Sequence, residues 1–489
     1  MGLNSRRLVD ILGSWSTRHG SLQDSLAVAI QEAIQQGTLQ SGMRLPSERQ
    51  LARLLAISRT TVVASLNHLR SNGWLESRAG SGTWVSRSRA GTIRAESHAL
   101  NLARSPLIGV LQAAETSAID FVTSSPYPLT DLITPLLDVV ADYASSLIGQ
   151  REYLPFGLPQ LRDAVANCFS AAGTPTSRDE VLITTGGQQA ISLVCNLLLQ
   201  RGDSVLVESP TYYGALEAIR VTGARMTAIQ LDDRGQLQAT LLMQRAATIG
   251  ARMIYTTPTG QNPTGSVMPD HARAEIAQGS SKYGVVVVED EVLADLLVGG
   301  SRPRSIAAFS PNANVLTIGS ISKLIWPSLR VGWIRGSRAL IARLARLKST
   351  SDLGSALLPQ MLAVPLLERI EDARALRRKE LLSKRNLLTR LINEHIPAAT
   401  FPTPKAGLCF WIKLPGVDSQ VLSQTTLRRG LALGQGNLFS VDETHGEHIR
   451  IPFVLSEELL ERGVAIIGES VDELHKSHRV TTNERVALI

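Results

Sequence analysis

The residues best suited to chemistry lie in one short stretch, Gly319-Ser-Ile-Ser-Lys323-Leu-Ile-Trp-Pro-Ser-Leu-Arg330-Val-Gly-Trp333, directly after the apolar run Val315 to Ile318. A lysine set among small hydroxyl residues, with an arginine one or two helical turns on, suits an amine working beside a phosphate. Held there, Lys323 could form a Schiff base with an aldehyde cofactor. Taken alone, Ser-x-Ser-Lys is short enough to arise by chance, and most lysines are solvated surface charges. The other parts of such a site must come from the rest of the chain.

Four segments offer them, each after a short apolar run. Beyond Val181 to Thr184, Thr185-Gly186-Gly187-Gln188-Gln189 opens a helix, whose free backbone N–H groups and positive end make a phosphate cradle. Beyond Ser204 to Val207, Glu208-Ser-Pro-Thr-Tyr212-Tyr213-Gly214 can lay an aromatic face over a flat ring. Arg252 to Tyr255 leads to Pro258-Thr-Gly-Gln-Asn262-Pro-Thr-Gly265, whose asparagine can donate to a ring oxygen. Val285 to Val288 runs into Glu289-Asp290, a carboxylate able to hold a protonated pyridine nitrogen. Asn-Pro-Thr-Gly also fits an ordinary turn, and a buried tyrosine is more often core than stack. The weight rests on the ordered series.

The elements that must position these residues follow from the alternation, from Ile119 onward, of short apolar runs with longer helical patterns, as in a mainly parallel α/β sheet. Ligands in such sheets gather beyond the carboxyl ends of the strands, so the five strand tips should be neighbours. A smaller α/β region begins near Pro402, and Ala363 to Leu391 reads as a basic, solvated helix face.

Over residues 119 to 475 the series resembles the fold type I pyridoxal-phosphate enzymes of the aminotransferase class. The resemblance implies that Lys323 forms the internal aldimine, Asp290 binds the ring nitrogen, Asn262 the ring oxygen, and Tyr212 stacks on the ring. Gly187, Gln188, Ser320, Ser322 and Arg330 would hold the phosphate. Tyr153, in Tyr153-Leu-Pro-Phe-Gly157, would reach a partner subunit's phosphate or simply pack. Arg450, alone inside the apolar segment His448-Ile-Arg-Ile-Pro-Phe453, would clamp a substrate carboxylate, with a structural salt bridge as the alternative. The chain departs from the family where a tyrosine donor to the ring oxygen is usual, two or three residues beyond the aspartate. Here stand Val292 and Leu293. Losing that donor should alter the aldimine's pKa and the cofactor's electron distribution.

The other end of the chain has different chemistry. Residues 1 to 90 hold eleven Arg, no Lys and five Asp or Glu, a net +6 of the whole chain's +7. A concentrated arginine excess is the footprint of a polyanion partner. Leu22, Leu26, Ile30 and Ile34 mark one helix, Ser47 caps a second, and Ser58 caps a third running through Leu66 and Leu69. This is a helix-turn-helix, followed by a hairpin with a glycine tip at Arg78-Ala-Gly-Ser-Gly82. Leu45-Pro-Ser-Glu-Arg49, Ser58-Arg-Thr-Thr-Val62 and Gly80-Ser-Gly-Thr83 resemble the winged helix-turn-helix of GntR-type regulators. By that resemblance Ser58, Arg59, Thr60 and Thr61 open the helix that enters the major groove, Arg49 braces the backbone, and Gly80, Ser81 and Gly82 approach the minor groove.

The expected organisation is therefore a DNA-binding domain over 15 to 86, a Ser- and Arg-rich linker over 87 to 118, and an effector domain over 119 to 475. Cys168, Cys195 and Cys409 lie apart without CxxC spacing, which indicates buried free thiols, no metal site and a reducing compartment. No run approaches the roughly 18 apolar residues of a membrane span, so the protein is expected in the cytoplasm. The fusion is similar to the MocR subfamily of GntR-type regulators. That implies a homodimer, with domains exchanged head to tail as one arrangement. It also implies operator DNA as one partner and an amine, amino acid or pyridoxal phosphate as effector. A working aminotransferase with an appended regulatory domain is the rival reading, and a DNA-binding protein whose large domain has lost its cofactor is a third.

Overall fold

The computed structural model describes residues 5–13, 15–17, 21–78, 82–86, 113–147 and 153–486. The N-terminal part is built from helices α1 (Ser5–Leu12), α2 (Leu22–Gln35), α3 (Glu48–Leu54) and α4 (Arg59–Ser71), then the hairpin β1 (Leu75–Arg78) and β2 (Gly82–Val85). Serines set where three helices begin: Ser21, Ser47 and Ser58 each accept from the backbone N–H three residues on. Each such cap stabilises its helix by about 1 kcal/mol. Leu26, Ile30, Leu51, Leu66 and Leu69 share one core. Helix α1 and Trp15 seal it, although the helical pattern from Ser21 onward does not announce them. Gly80 and Ser81, and residues 87–112 of the expected linker, lie outside the described residues.

The main body is a seven-stranded sheet ordered β4-β10-β9-β8-β7-β5-β6. Its strands are β4 (Val181–Thr184), β5 (Ser204–Ser209), β6 (Arg225–Gln230), β7 (Met253–Thr256), β8 (Val286–Asp290), β9 (Val315–Ser320) and β10 (Gly332–Arg335). Only β10 runs antiparallel, between β4 and β9. Both faces are covered, which is why β4, β7 and β9 read as continuous apolar runs rather than alternating ones. Helices α5 (Leu137–Leu147) and α6 (Pro159–Ala171) precede this sheet; α7 (Gly187–Leu198), α8 (Tyr213–Thr222), α9 (Ala239–Ile249), α10 (Asp270–Tyr283) and α11 (Arg338–Ser349) connect or follow its strands. The register pairs Asp290 with Ile318 and Val207 with Tyr255, so the ends of the parallel strands are held level.

A second sheet is ordered β11-β13-β12-β3, from β3 (Ile119–Phe121), β11 (Cys409–Lys413), β12 (Leu431–Gln435) and β13 (His448–Pro452). Strand β3 joins it in parallel, Ile119 opposite Leu431, so the smaller α/β region recruits residues far upstream of Pro402. Helices α13 (Ile370–His395), α14 (Ser419–Arg428) and α15 (Glu457–Val486) pack around it, while α12 (Leu357–Glu368) packs against α5 and α6. The expected solvated face of residues 363–391 needs correction at Arg377, which is buried. Its Nε donates to the Leu324 carbonyl at 3.0 Å and its Nη2 to the Tyr127 carbonyl at 2.9 Å, bracing the loop that carries Lys323. Carbonyl acceptors leave no mark in the side-chain pattern. Among the described residues, no helix is long and apolar enough to cross a membrane.

Candidate functional site

A cavity of about 320 Å³ lies where the tips of β4, β5, β7, β8 and β9 meet the smaller sheet. Gly187, Gln188, Tyr212, Asn262, Asp290, Ser320, Ser322, Lys323, Arg330 and Arg450 all line it. Tyr153 does not, being 74% exposed on the surface of this chain.

Helix α7 starts at Gly187, after Gly186 at φ 105°, and points its first backbone N–H groups at the cavity mouth. A Cβ at Gly186 would come within 2.8 Å of Arg330 Nη2, so this glycine is needed both for its backbone and for the arginine's approach. Arg330 itself sits at φ 55° and donates from Nη2 to the Thr185 carbonyl at 2.9 Å. Ser320 Oγ donates to the Val331 carbonyl at 2.8 Å, and the Ser322 backbone N–H donates to Ser320 Oγ at 3.2 Å. These bonds tie the lysine turn to the strand that follows. Gln188 is turned aside, with Nε2 on the Gly214 carbonyl at 2.9 Å.

Lys323 Nζ donates to the Ser124 carbonyl at 2.7 Å. Burial, then the positive charges of Arg450 and Arg330, lowers its amine from 10.5 to about 8, while Cys409 opposes the shift. Asp290, the last residue of β8, accepts from Tyr255 Oη at 2.6 Å and from the Val292 N–H at 3.0 Å. Burial raises its carboxyl pKa, and these two bonds pull it back. In the sequence Tyr255 marks only the end of a strand; the signal that singles it out is that a buried phenol needs a hydrogen-bond partner.

Tyr212 lies beside Tyr213, ring centroids 5.1 Å apart, and burial pushes its phenol pKa up. On the opposite wall Arg450 is buried in β13. Its Nη1 donates to Asn262 Oδ1 at 3.2 Å, its Nη2 to the Val122 carbonyl, and its guanidinium carbon lies 4.8 Å from the Phe439 ring centre. No carboxylate pairs with it among the described residues, and its buried Nε has no partner there. The salt-bridge alternative therefore finds no acidic group. Val292 and Leu293 make an apolar wall, with Val292 Cγ2 filling the space that a Cβ on Gly187 would enter, at 2.7 Å.

In the N-terminal part, Ser58, Arg59, Thr60 and Thr61 open α4. Ser58 Oγ accepts from the Thr61 N–H at 3.0 Å, and Arg59 and Thr60 are exposed. Arg49 is exposed on α3, and Gly82, at φ 103°, begins β2. Two residues outside the expected set brace the hairpin. Arg70 Nη2 donates to Thr83 Oγ1 at 2.7 Å, and Arg44 lies beside Gly82, where a Cβ would come 3.1 Å from its Nε. Among the described residues no group of three His, Cys, Asp or Glu could hold a metal.

The large body and its cavity define an aminotransferase-like domain of fold type I, joined to a helix-turn-helix of GntR type. Residues 128–467 match the family of aminotransferases class I and II, and residues 22–85 match the gntR family of bacterial regulatory proteins. The chain belongs to the aminotransferase class I and II family, in the fused arrangement of the MocR subfamily. It is 29% identical to an uncharacterized HTH-type transcriptional regulator of Bacillus subtilis, YdfD, over 91% of this chain and 95% of that one. It is 31% identical to 2-aminoadipate transaminase of Thermus thermophilus, over 64% of this chain and 80% of the enzyme. The structure of Pyrococcus horikoshii kynurenine aminotransferase superposes with a TM-score of 0.71 at 26% identity, covering 77% of this chain and 96% of that chain.

Proposed function

We propose that this protein is a DNA-binding transcriptional regulator that holds pyridoxal phosphate at Lys323 and senses an amino compound, or the vitamin itself, in the same cavity. The observation that carries the reading is that one cavity presents both a depressed lysine amine and a buried arginine without a carboxylate partner, in a chain that begins with a helix-turn-helix. The residues present fit the cofactor. Gly186 lets the Arg330 guanidinium approach the first N–H groups of α7, Asp290 offers a carboxylate for a pyridinium nitrogen, and Tyr212 offers an aromatic face.

Gly187, Gln188, Ser320, Ser322 and Arg330 would hold the phosphate, Asn262 the ring oxygen, and Tyr153 would act from a partner copy. Bound there, the cofactor supplies an aldehyde carbon for which Lys323 and an incoming amino group compete. This chain's own residues set the terms of that competition. The Ser124 carbonyl holds a proton of the Lys323 amine, and burial makes a larger share of that amine neutral near physiological pH than an ordinary lysine would show. Arg450 would take the carboxylate of the ligand through charge-assisted hydrogen bonds. The apolar wall of Val292 and Leu293, in place of a phenol donor, favours exchange of amino partners as a signal over rapid turnover. Arg59, Thr60 and Thr61 would face operator DNA, in a homodimer whose two heads read repeated half-sites.

The test is a spectral titration of the purified full-length chain with amino acids, amines and free pyridoxal phosphate, repeated with operator DNA present. A visible absorption band that changes with an amino ligand, and a ligand affinity that changes with DNA, are expected. Sustained multiple turnovers would instead favour an aminotransferase, and no visible band would remove the cofactor from the reading. In the same assay Arg59→Ala should weaken DNA binding by about tenfold and leave the spectrum intact.

A further inference from the structure

Helix α14 carries Gln420, Gln424 and Arg428 at four-residue spacing, so the three side chains lie along one face. Both glutamines are buried, an uncommon state for that residue. The stripe ends at the helix-turn-helix. Arg428 Nη1 donates to the Leu55 carbonyl at 3.1 Å, and Nη2 donates to the Ala56 carbonyl at 2.9 Å. These carbonyls stand where α3 ends, at the negative end of its dipole, where a helix leaves acceptors unsatisfied. A guanidinium fork matches two such acceptors, and lysine would not. Ala56 holds the tight turn at φ 50°, and two residues later Ser58 caps α4. Arg428 therefore grips the backbone directly behind the helix whose first residues are expected on DNA.

The same helix touches the ligand side of the cavity. It packs along β12, whose Gly434 pairs with Arg450. At its first turn, Ser419 Oγ accepts from the Gly436 N–H at 3.3 Å, and Gly436 opens the short turn that carries Phe439 against the Arg450 guanidinium. One helix thus bears on Arg450 at one end and on the DNA-binding head at the other. The contact is also suited to release. The turn Trp15–Thr17 packs against α14, and Trp15 Nε1, Ser16 Oγ and Gln424 Oε1 are buried without a partner among the described residues. Where separation returns such a group to water, it offsets part of the cost of parting the surfaces.

We propose that the Gln420, Gln424 and Arg428 face of α14 is the docking surface for the DNA-binding head, and that it conveys occupancy at Arg450 to the turn before α4. The docking claim stands on the contacts alone; the transmission claim rests on the cofactor and ligand reading given above.

The experiment is hydrogen exchange, read by mass spectrometry, on the full-length chain loaded with pyridoxal phosphate or with N-(5'-phosphopyridoxyl)-L-leucine, which presents a carboxylate to Arg450. Arg428→Ala should speed exchange across residues 54–58 by about tenfold while leaving residues 62–69 protected. Gln424→Glu, which places a charge in the buried stripe, should do the same without touching the arginine. In the unaltered chain, exchange across 54–58 should differ between the two loads, and in Arg428→Ala that difference should vanish. Wild-type protection of 54–58 in both variants would overturn the docking claim. A load-dependent difference that persists in Arg428→Ala, or is missing from the unaltered chain, would overturn the transmission claim. Exposure of 62–69 in Arg428→Ala would mean that the head has unfolded, and Gln424→Glu then decides the docking claim. Failure of pyridoxal phosphate to load, seen as no visible band, defeats the cofactor reading and leaves the docking test in force.

Discussion

The two walls of the cavity are built on opposite terms. Beneath the tips of β5, β7 and β8, every buried carboxylate is enclosed by donors. Glu208 accepts from Thr256, from the Thr257 N–H at 3.1 Å and from Gln261 at 3.3 Å. Glu289 accepts from Ser305, from Thr317 at 2.6 Å and from the Ile306 N–H at 2.7 Å. Glu291 faces Arg273 at 3.4 Å, and Arg273 also donates to the carbonyls of Pro258 and Arg304. On the wall of β13, Arg450 has carbonyl and amide acceptors, aromatic neighbours and an unpartnered Nε. A saturated network holds one geometry, which suits a resident cofactor; a wall with donors to spare suits a ligand that comes and goes.

The largest effect should come from breaking the saturated wall. Arg273→Met removes a wholly buried charge and leaves Glu291 with Arg302, at 3.8 Å, as its cationic neighbour, a loss expected to cost about 3 kcal/mol. Arg273→Met combined with Glu291→Leu should recover most of that cost, since no buried charge is then left alone. Thermal unfolding of the two variants decides it. Equal destabilisation would mean that the pair is not a coupled unit.

On the other wall, Arg450→Leu should change stability less than Arg273→Met does, and should leave cofactor retention little changed above about pH 8, where Lys323 is already neutral. It should weaken binding of amino acids by about a hundredfold, because the charge-assisted contact to a carboxylate is lost. Amines without a carboxylate should lose little. Comparing an amino acid with its decarboxylated amine in the spectral titration isolates the contribution of the carboxylate.

What could be read from the amino-acid order, and what could not, follows the same division. The five tips and their residues were legible because each follows a continuous apolar run, and capping serines mark the helices of the head. Partners across strands were not. Tyr255 and Asp290 meet because β7 and β8 pair in register, and a sheet covered on both faces carries no alternation to say which way Tyr255 points. Val122, Ser124 and Leu324 contribute only carbonyls, which any residue type could supply. Strand β3 is too short for its place in the smaller sheet to be read from its own sequence.

Between the two extremes stands Tyr255→Phe. It leaves Asp290 with one donor fewer, so burial should raise the carboxyl pKa further. Asp290 must be ionised to hold a pyridinium nitrogen, so the acid limit of cofactor binding should move to higher pH. Retention near neutrality should fall by about tenfold, the scale of one hydrogen bond to a charged group. A pH series of cofactor affinity reads both, and an unmoved acid limb would show that Tyr255 only fills space.

The smallest expected effect tests whether the walls act on each other. Lys323 titrates at about 8 in the folded chain, below its ordinary 10.5, with burial the first cause and the Arg450 charge the second. Its neutral form therefore prevails above about pH 8, and cofactor uptake by the stripped chain should rise by about tenfold per pH unit below that point and level off above it. Between the folded and unfolded values the unfolded chain binds more protons, so the lysine's contribution to stability should rise with pH across that interval. Arg450→Leu removes the second cause, and the midpoint of the uptake profile should shift upward. A midpoint that stays in place would mean that desolvation alone sets the lysine and that Arg450 reads its ligand without touching the anchor.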